Sequence, residues 1–191
     1  MSEHAPQAAR AEAIESLLQE RGLLAPEAVD AVIERYNERV GPMNGARVVA
    51  RAWSDPAFKR ALLENATEAV EGFAFEGGEI QKLVVVENTA SVHNVVVCTL
   101  CSCYPWAMLG LPPAWYKSPA YRSRIVREPR AVLREFELEL EDEVEVRVWD
   151  SSAEVRYLVL PERPSGTGGL DEAALAERVT RNAMIGVERL R

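Results

Sequence analysis

All three cysteines of this 191-residue chain lie within six consecutive residues, from Cys98 to Cys103. The cluster directly follows residues 95–97, a short apolar run that predicts a buried strand. A disulfide framework needs paired cysteines, whereas this chain has an odd number confined to one short segment. Cys101 and Cys103 are also too close to bridge without strain. The cluster therefore indicates metal or redox chemistry on a loop that follows a strand.

The overall composition narrows the class of protein. Hydrophobic residues make up 48% and charged residues 27% of the chain, which excludes a disordered or collagen-like protein. The formal net charge is −8, so we expect no nucleic-acid partner. The densest basic stretch, residues 122–130, is interrupted by Glu128 and is interpreted as an ion-paired surface or subunit interface.

Neither a membrane segment nor a secretory signal is expected. No apolar run approaches the roughly 20 residues that a membrane-spanning helix requires. The first six residues have neither a basic start nor an apolar stretch of the kind found in secretory signals. We therefore expect a soluble cytoplasmic protein whose thiols are reduced unless specific chemistry oxidises them.

The predicted fold class is α+β. Residues 1–70 have apolar side chains at helical spacing and predict an N-terminal helical arm. Residues 71–191 predict a layered α/β core that carries the metal-binding and catalytic cluster. Its apolar runs predict at least four strands, at residues 83–86, 95–97, 144–148 and 155–159. The intervening turn, Asp150-Ser151-Ser152, predicts that the last two strands form a hairpin.

Several helix starts are marked by a capping side chain or by a proline in the first turn. These starts are Pro26, Asp55-Pro56, Pro119, Pro129 and Asp171.

One interpretation of the cysteines is a structural zinc or iron–sulfur site. Zinc prefers four tetrahedral ligands and iron–sulfur clusters require four cysteine thiolates, but the chain has three cysteines. His93 could complete a non-catalytic Cys3His zinc module, although the close spacing of Cys101 and Cys103 is awkward for a tetrahedron. We expect His93 instead to be a strand residue with a hydrogen-bonded ring.

A second interpretation uses the backbone. A tight loop can direct three sulfurs at one ion, with the amide nitrogens of Ser102 and Cys103 between them. Deprotonated amides are strong donors that suit a small trivalent ion. Five such ligands form a square pyramid and leave a sixth position open for water or substrate.

The sequence VCTLCSCYPW at residues 97–106 resembles the metal-binding motif of the nitrile hydratase α subunit. The resemblance continues in four further segments, at residues 115–124, 126–130, 148–152 and 184–187. With the motif, these segments extend over most of residues 40–188.

The resemblance implies a role for each residue of the loop. Cys98 is the axial thiolate, Cys101 matches the position oxidised to sulfinic acid, and Cys103 matches the position oxidised to sulfenic acid. Ser102 and Cys103 also supply backbone nitrogens. Thr99 is typical of the cobalt members, where iron members have serine, so one Co³⁺ per chain is the expected cofactor, with Fe³⁺ as the less favoured alternative.

The same resemblance implies hydration of a nitrile to the amide. Cys103 is the candidate catalytic residue, through its sulfenate oxygen, and the resemblance leaves open whether the sulfenate or a metal-bound hydroxide attacks the nitrile. Trp106 and Thr99 are candidate residues of the substrate pocket. The expected partner is a β subunit that supplies arginines to the oxidised cysteines, in an αβ or α2β2 assembly, and a metal-loading activator protein is a further expected partner.

The nearest alternative within this resemblance is the γ subunit of thiocyanate hydrolase, which shares the cobalt site. That family tends to carry a basic residue after Cys-Tyr-Pro, where this chain has Trp106. An apolar side chain suits an organic nitrile better than a small anion, so nitrile is the expected substrate.

Overall fold

The computed structural model describes residues 5–38, 40–41, 43–75, 82–101 and 103–191. The chain divides into two compact units, residues 1–39 and residues 40–191. The second unit begins well before the boundary expected at residue 70, because the helices that precede residue 72 have buried apolar faces. No helix in the described residues is long and apolar enough to cross a membrane.

The first unit contains two helices, α1 (Ala5–Glu20) and α2 (Pro26–Glu38). Gly22 follows α1 in the left-handed conformation (φ 67°), which glycine adopts without steric cost, and Pro26 opens α2 as predicted. The apolar side chains of Ile14, Leu23 and Val32 are more than half exposed.

The second unit opens with α3 (Met43–Ser54), α4 (Pro56–Glu64) and α5 (Ala66–Glu71). The predicted cap of α4 is confirmed, since the Asp55 carboxylate accepts hydrogen bonds from the backbone N–H groups of Ala57 and Phe58 at 2.8 and 3.0 Å. These bonds hold the pKa of Asp55 below its usual value. In α3, Val48 and Val49 are fully buried and belong to the main hydrophobic core.

The four described strands are β1 (Lys82–Glu87), β2 (Val92–Val97), β3 (Glu145–Asp150) and β4 (Val155–Leu160). They form two parallel pairs, β1 with β4 and β2 with β3. The hairpin expected between residues 144–148 and 155–159 is therefore wrong. The turn does form, with the Ser152 N–H donating to the Val155 carbonyl at 2.9 Å, but it carries the chain from one sheet to the other.

Six short helices complete the core: α6 (Trp106–Leu109), α7 (Ala114–Lys117), α8 (Pro119–Arg124), α9 (Pro129–Glu135), α10 (Glu172–Ala176) and α11 (Arg181–Ile185). The helix starts predicted at Pro119, Pro129 and Asp171 are confirmed. Helices α6 and α7 were not predicted, because each is four residues long and too short to show helical periodicity. Helix α3 packs against α6, α10 and α11, which places it inside the core.

A buried histidine links β2 to the end of α11. His93 is 1% exposed, and its Nε2 lies 2.8 Å from the carbonyl oxygen of Gly186. Because a carbonyl only accepts, Nε2 carries the proton, and Nδ1 accepts from the Asn88 amide at 3.3 Å. The neutral imidazole ring of His93 therefore forms hydrogen bonds with both Gly186 and Asn88.

We expect the free energy of unfolding to fall when the pH is lowered from about 7.5 to about 5.5. Burial holds the pKa of His93 below the ordinary value of 6.5, and Arg189 lowers it further, while the bond to Gly186 opposes the shift. The unfolded chain therefore binds more protons in this range, so stability is complete above pH 6.5 and is lost as the pH falls towards the folded-state pKa. The test is to measure the free energy of unfolding in urea for wild type and His93→Gln across this pH range. The same dependence of this free energy on pH in both proteins would contradict the prediction.

Candidate metal centre

The cysteine loop begins at the carboxyl end of a parallel strand pair. Val97 pairs with Asp150 in the register of β2 and β3, so both strands end at the same edge. The Ser151 N–H donates to the Val97 carbonyl at 2.7 Å, which extends the pairing up to the fully buried Cys98. The carboxyl edge of parallel strands is a common location for binding sites in α/β proteins.

The three thiols converge on one point. Cys101 Sγ lies 3.4 Å from Cys98 Sγ and 3.2 Å from Cys103 Sγ, and all three sulfurs lie within 4.8 Å of one another. The Cys101 N–H also donates to Cys98 Sγ at 3.3 Å, which closes the loop on itself. Ser102 lies outside the described residues, so its role as a backbone ligand stays a prediction.

This donor set fits a metal ion that prefers sulfur. Burial, followed by the hydrogen bond with Cys101, raises the pKa of the Cys103 thiol to about 12, and Arg156 opposes the shift. Three neighbouring thiolates would repel one another, and a cation between them would stabilise the deprotonated forms that bind metals. Thiolates select transition metals over Mg²⁺ or Ca²⁺.

Asp150 attaches the loop to the end of β3. Its Oδ1 accepts from the Thr99 N–H at 2.9 Å, and its Oδ2 accepts from the Thr99 hydroxyl at 2.6 Å. This pair of bonds fixes the residue that follows Cys98. Asp150 was interpreted as part of a turn on sequence grounds, because its contact with Thr99 depends on the pairing of β3 with β2.

Two further side chains hold the backbone of the loop from α7 and α8. The Tyr116 hydroxyl donates to the Cys103 carbonyl at 2.9 Å. Arg122 Nη1 donates to the Cys101 carbonyl at 3.1 Å and lies 3.5 Å from the Thr99 carbonyl. Arg122 was assigned to a basic surface stretch on sequence grounds, and its contact with the loop is a finding of the structure.

The two predicted pocket residues lie at opposite ends of the loop. Trp106 is the first residue of α6 and is 41% exposed. The hydroxyl of Thr99 is hydrogen-bonded to Asp150. Contact of either side chain with a substrate stays a prediction.

His93 does not join the cluster. Within the described ranges, the three cysteines form the one group of His, Cys, Asp and Glu side chains that could hold a metal ion. Both ring nitrogens of His93 have partners near the opposite end of β2. A Cys3His zinc site that uses His93 is therefore not formed.

Known proteins resemble this chain over nearly its whole length. Residues 5–188 match the family described as nitrile hydratase, alpha chain. The chain is 54% identical over 192 residues to the high-molecular weight cobalt-containing nitrile hydratase subunit alpha of Rhodococcus rhodochrous, a match that covers 98% of this chain and 95% of that protein. It is 43% identical over 186 residues to the thiocyanate hydrolase subunit gamma of Thiobacillus thioparus, with 92% and 76% covered.

A solved structure shows the same fold. A double mutant of the Fe-type nitrile hydratase from Comamonas testosteroni Ni1 superposes with a TM-score of 0.87 at 42% identity, covering 99% of this chain and 92% of that one. The resemblance seen in the cysteine motif is thus confirmed along the chain, and so is the α+β class. The chain belongs to the nitrile hydratase alpha-chain family.

Proposed function

We propose that this chain is the α subunit of a nitrile hydratase that converts a nitrile to the amide at a cobalt centre. The observation that carries the proposal is the convergence of three sulfurs within 4.8 Å. They lie on a short loop of a chain that is 54% identical to a cobalt-containing relative. A Co³⁺ ion bound there supplies a Lewis acid that polarises a nitrile or lowers the pKa of water.

The exposure of the three cysteines supports their proposed oxidation states. Cys98 is fully buried, Cys103 is partly buried and Cys101 is exposed. Oxidation of cysteine follows thiolate character and access. Cys98 is therefore the thiolate that stays unmodified, Cys101 is the position oxidised as far as sulfinic acid, and Cys103 is the sulfenic acid.

Cys103 is the proposed catalytic residue. Its sulfenate oxygen would act as a nucleophile towards the nitrile carbon or as a base towards water. The Tyr116 hydroxyl fixes the backbone of Cys103, and the positive charge of Arg156 favours an anionic group on its sulfur. Preorganised donors and charges of this kind lower the energy of a developing anion.

The proposed ligand set comprises the sulfurs of Cys98, Cys101 and Cys103 and the backbone nitrogens of Ser102 and Cys103, with a sixth position open. Cobalt is preferred to iron because Thr99 is the residue type of cobalt members and because the 54% identical relative is named as cobalt-containing. The Fe-type structure is a more distant match, at 42% identity.

A β subunit completes the proposed enzyme. The oxidised cysteines are anionic, and burial of an anion requires cationic hydrogen-bond donors. The first unit presents exposed apolar side chains, including Ile14 and Leu23, which suit the wrapping of a partner. A cytoplasmic location and a metal-loading activator protein are further parts of the proposal.

Thiocyanate hydrolysis is the second candidate function, favoured by the 43% identity to a thiocyanate hydrolase gamma subunit. The proposed pocket residues argue for the nitrile. Trp106 is an apolar residue three positions after Cys103 and is 41% exposed, and Thr99 lies next to Cys98. An apolar ring suits the organic part of a nitrile better than a small anion.

The test is to produce the full chain with its partner subunit in medium that contains cobalt. We expect about one cobalt ion per chain, oxygen additions on Cys101 and Cys103 by mass spectrometry, and amide formation from a small aliphatic nitrile. Zinc with unmodified thiols would contradict the proposal. A competition assay in which thiocyanate is consumed in preference to the nitrile would support the second candidate instead. Full activity of the chain without a partner would refute the β-subunit requirement.

A further inference from the structure

Arg122 contacts the Cys101–Ser102 peptide group, one of the two peptide groups in the loop whose nitrogens are proposed ligands. Its Nη1 donates to the carbonyl oxygen of Cys101 at 3.1 Å. That carbonyl carbon is bonded to the nitrogen of Ser102, which is a backbone ligand in the proposed function. We propose that Arg122 is a positioning residue that stabilises this peptide group as a negatively charged metal ligand, an inference that rests on the proposed function.

Deprotonation of the peptide nitrogen would strengthen the hydrogen bond between Arg122 and the Cys101 carbonyl. A peptide nitrogen that binds a metal without its proton shares negative charge with the carbonyl oxygen of the same group. A hydrogen bond from a cation to an anionic oxygen is about twice as strong as one between neutral groups. The guanidinium of Arg122 therefore stabilises the metal-bound form of the peptide group more than the free form.

The surroundings of Arg122 leave its charge directed at the loop. Among the described residues, Arg122 forms no ion pair, and its Nε is buried without an acceptor. Arg124, on the same helix, pairs with Glu128 at 2.6 Å and with Glu135 at 2.7 Å. A partly buried cation without a carboxylate is unfavourable unless another anion is present. The deprotonated sulfur and nitrogen ligands of the loop would be that anion.

The helix that carries Arg122 is held firmly. The Ser118 hydroxyl caps α8 by accepting from the Tyr121 N–H at 3.1 Å, and the Tyr121 hydroxyl donates to the Val96 carbonyl at 2.7 Å. The Tyr121 ring also packs against Trp115, with ring centroids 4.9 Å apart. The guanidinium is thus presented to the loop from a fixed position beside β2.

A charge series at this position tests the inference. Arg122→Lys keeps the positive charge, Arg122→Gln keeps a neutral hydrogen-bond donor, and Arg122→Met keeps only an unbranched apolar side chain. The three variants are made in the full chain, assembled with its partner in cobalt medium. Two quantities are measured: the rate at which a strong chelator removes the cobalt, and the position of the sulfur-to-metal charge-transfer absorption band. Thermal unfolding of each variant separates effects on the fold.

We expect cobalt loss to be about 10- to 100-fold faster in Arg122→Met, since removal of groups that support metal ligands has effects of this size. The rate of cobalt loss from Arg122→Gln should lie between those of Arg122→Met and wild type, and that of Arg122→Lys should be nearest to wild type. The absorption band should shift in the same order. The matched control is the same series at Arg127, an exposed residue whose Nε donates to the Ser123 carbonyl on its own segment. The Arg127 variants should behave as wild type.

Three results would overturn the inference. Cobalt loss and absorption that are unchanged in Arg122→Met, in a wild-type protein that holds cobalt, overturn the role of Arg122 alone. Cobalt loss that is accelerated equally in the lysine and methionine variants, with unchanged thermal stability, also overturns the role of Arg122. The effect would then not depend on the charge of the side chain. A wild-type protein that holds neither cobalt nor iron overturns the proposed function, and the role of Arg122 with it.

Discussion

Cys103→Ser is expected to reduce amide formation by about 10³-fold or more, because loss of metal-ion catalysis costs several kcal/mol and each 1.36 kcal/mol is tenfold in rate. Serine lacks the sulfur and cannot form a sulfenate, so both proposed roles of Cys103 are removed at once. Its sulfur lies 3.2 Å from Cys101 Sγ, so the cluster also loses a member. The rate of amide formation, the metal content and the charge-transfer absorption should each be measured, since they report on catalysis, on metal binding and on the sulfur ligands respectively.

The fold should survive this change, because Cys103 is only partly buried. Thermal unfolding within a few degrees of wild type would show that the loss is chemical. Ser123→Ala serves as the control, since Ser123 is exposed and its hydroxyl donates to the nearby Ala120 carbonyl at 3.4 Å. Amide formation by Cys103→Ser at the wild-type rate would remove Cys103 from the mechanism.

Gly186→Ala is expected to destabilise the second unit by about 4 kcal/mol or more, through overpacking and backbone strain together. A Cβ at this position would lie 2.0 Å from the Asn94 carbonyl oxygen and 2.8 Å from Val95 Cα. Gly186 also has φ 93°, a left-handed conformation that side chains disfavour. Relief of the clash requires movement of β2 or of the end of α11. Such movement would disturb the bond between His93 and the Gly186 carbonyl.

Gly72→Ala is the matched control for this prediction. Gly72 follows α5 with φ −63°, and a Cβ there would meet no atom within 4 Å. Alanine at a compatible position restricts the unfolded chain and stabilises by about 0.4–1 kcal/mol. Urea unfolding and the yield of folded protein should therefore separate the two variants sharply. A Gly186→Ala protein within about 1 kcal/mol of wild type would contradict the packing described for this residue.

Local chemistry predicts much of this fold. Proline has a fixed φ and no N–H, so Pro119 and Pro129 mark helix starts wherever the rest of the chain lies. The carboxylate of Asp55 caps α4 through atoms only two and three residues away. The position of the cysteines directly after β2 also follows from the sequence, because the strand and the cluster are adjacent.

Contacts between distant segments are the part that the sequence did not predict. The turn at Asp150–Ser152 is compatible with a hairpin and with a crossing between sheets, and in the structure β3 pairs with β2 while β4 pairs with β1. The contact of Asp150 with Thr99 depends on that pairing, and the contact of Arg122 with the loop depends on the position of α8 beside β2. Asp150 and Arg122 each lie more than twenty residues from their partners in the loop, at separations for which no periodic pattern exists.

The bond between Thr99 and Asp150 spans 51 positions of the chain. A ribosome must therefore synthesise β3 before the loop that carries the cysteines can take its final shape. Cobalt offered to an earlier nascent chain would meet three thiols on a segment that Asp150 does not yet hold, where intrinsic affinity favours copper over cobalt. In the proposed function, selection of the metal would therefore follow the completion of the parallel pair β2–β3.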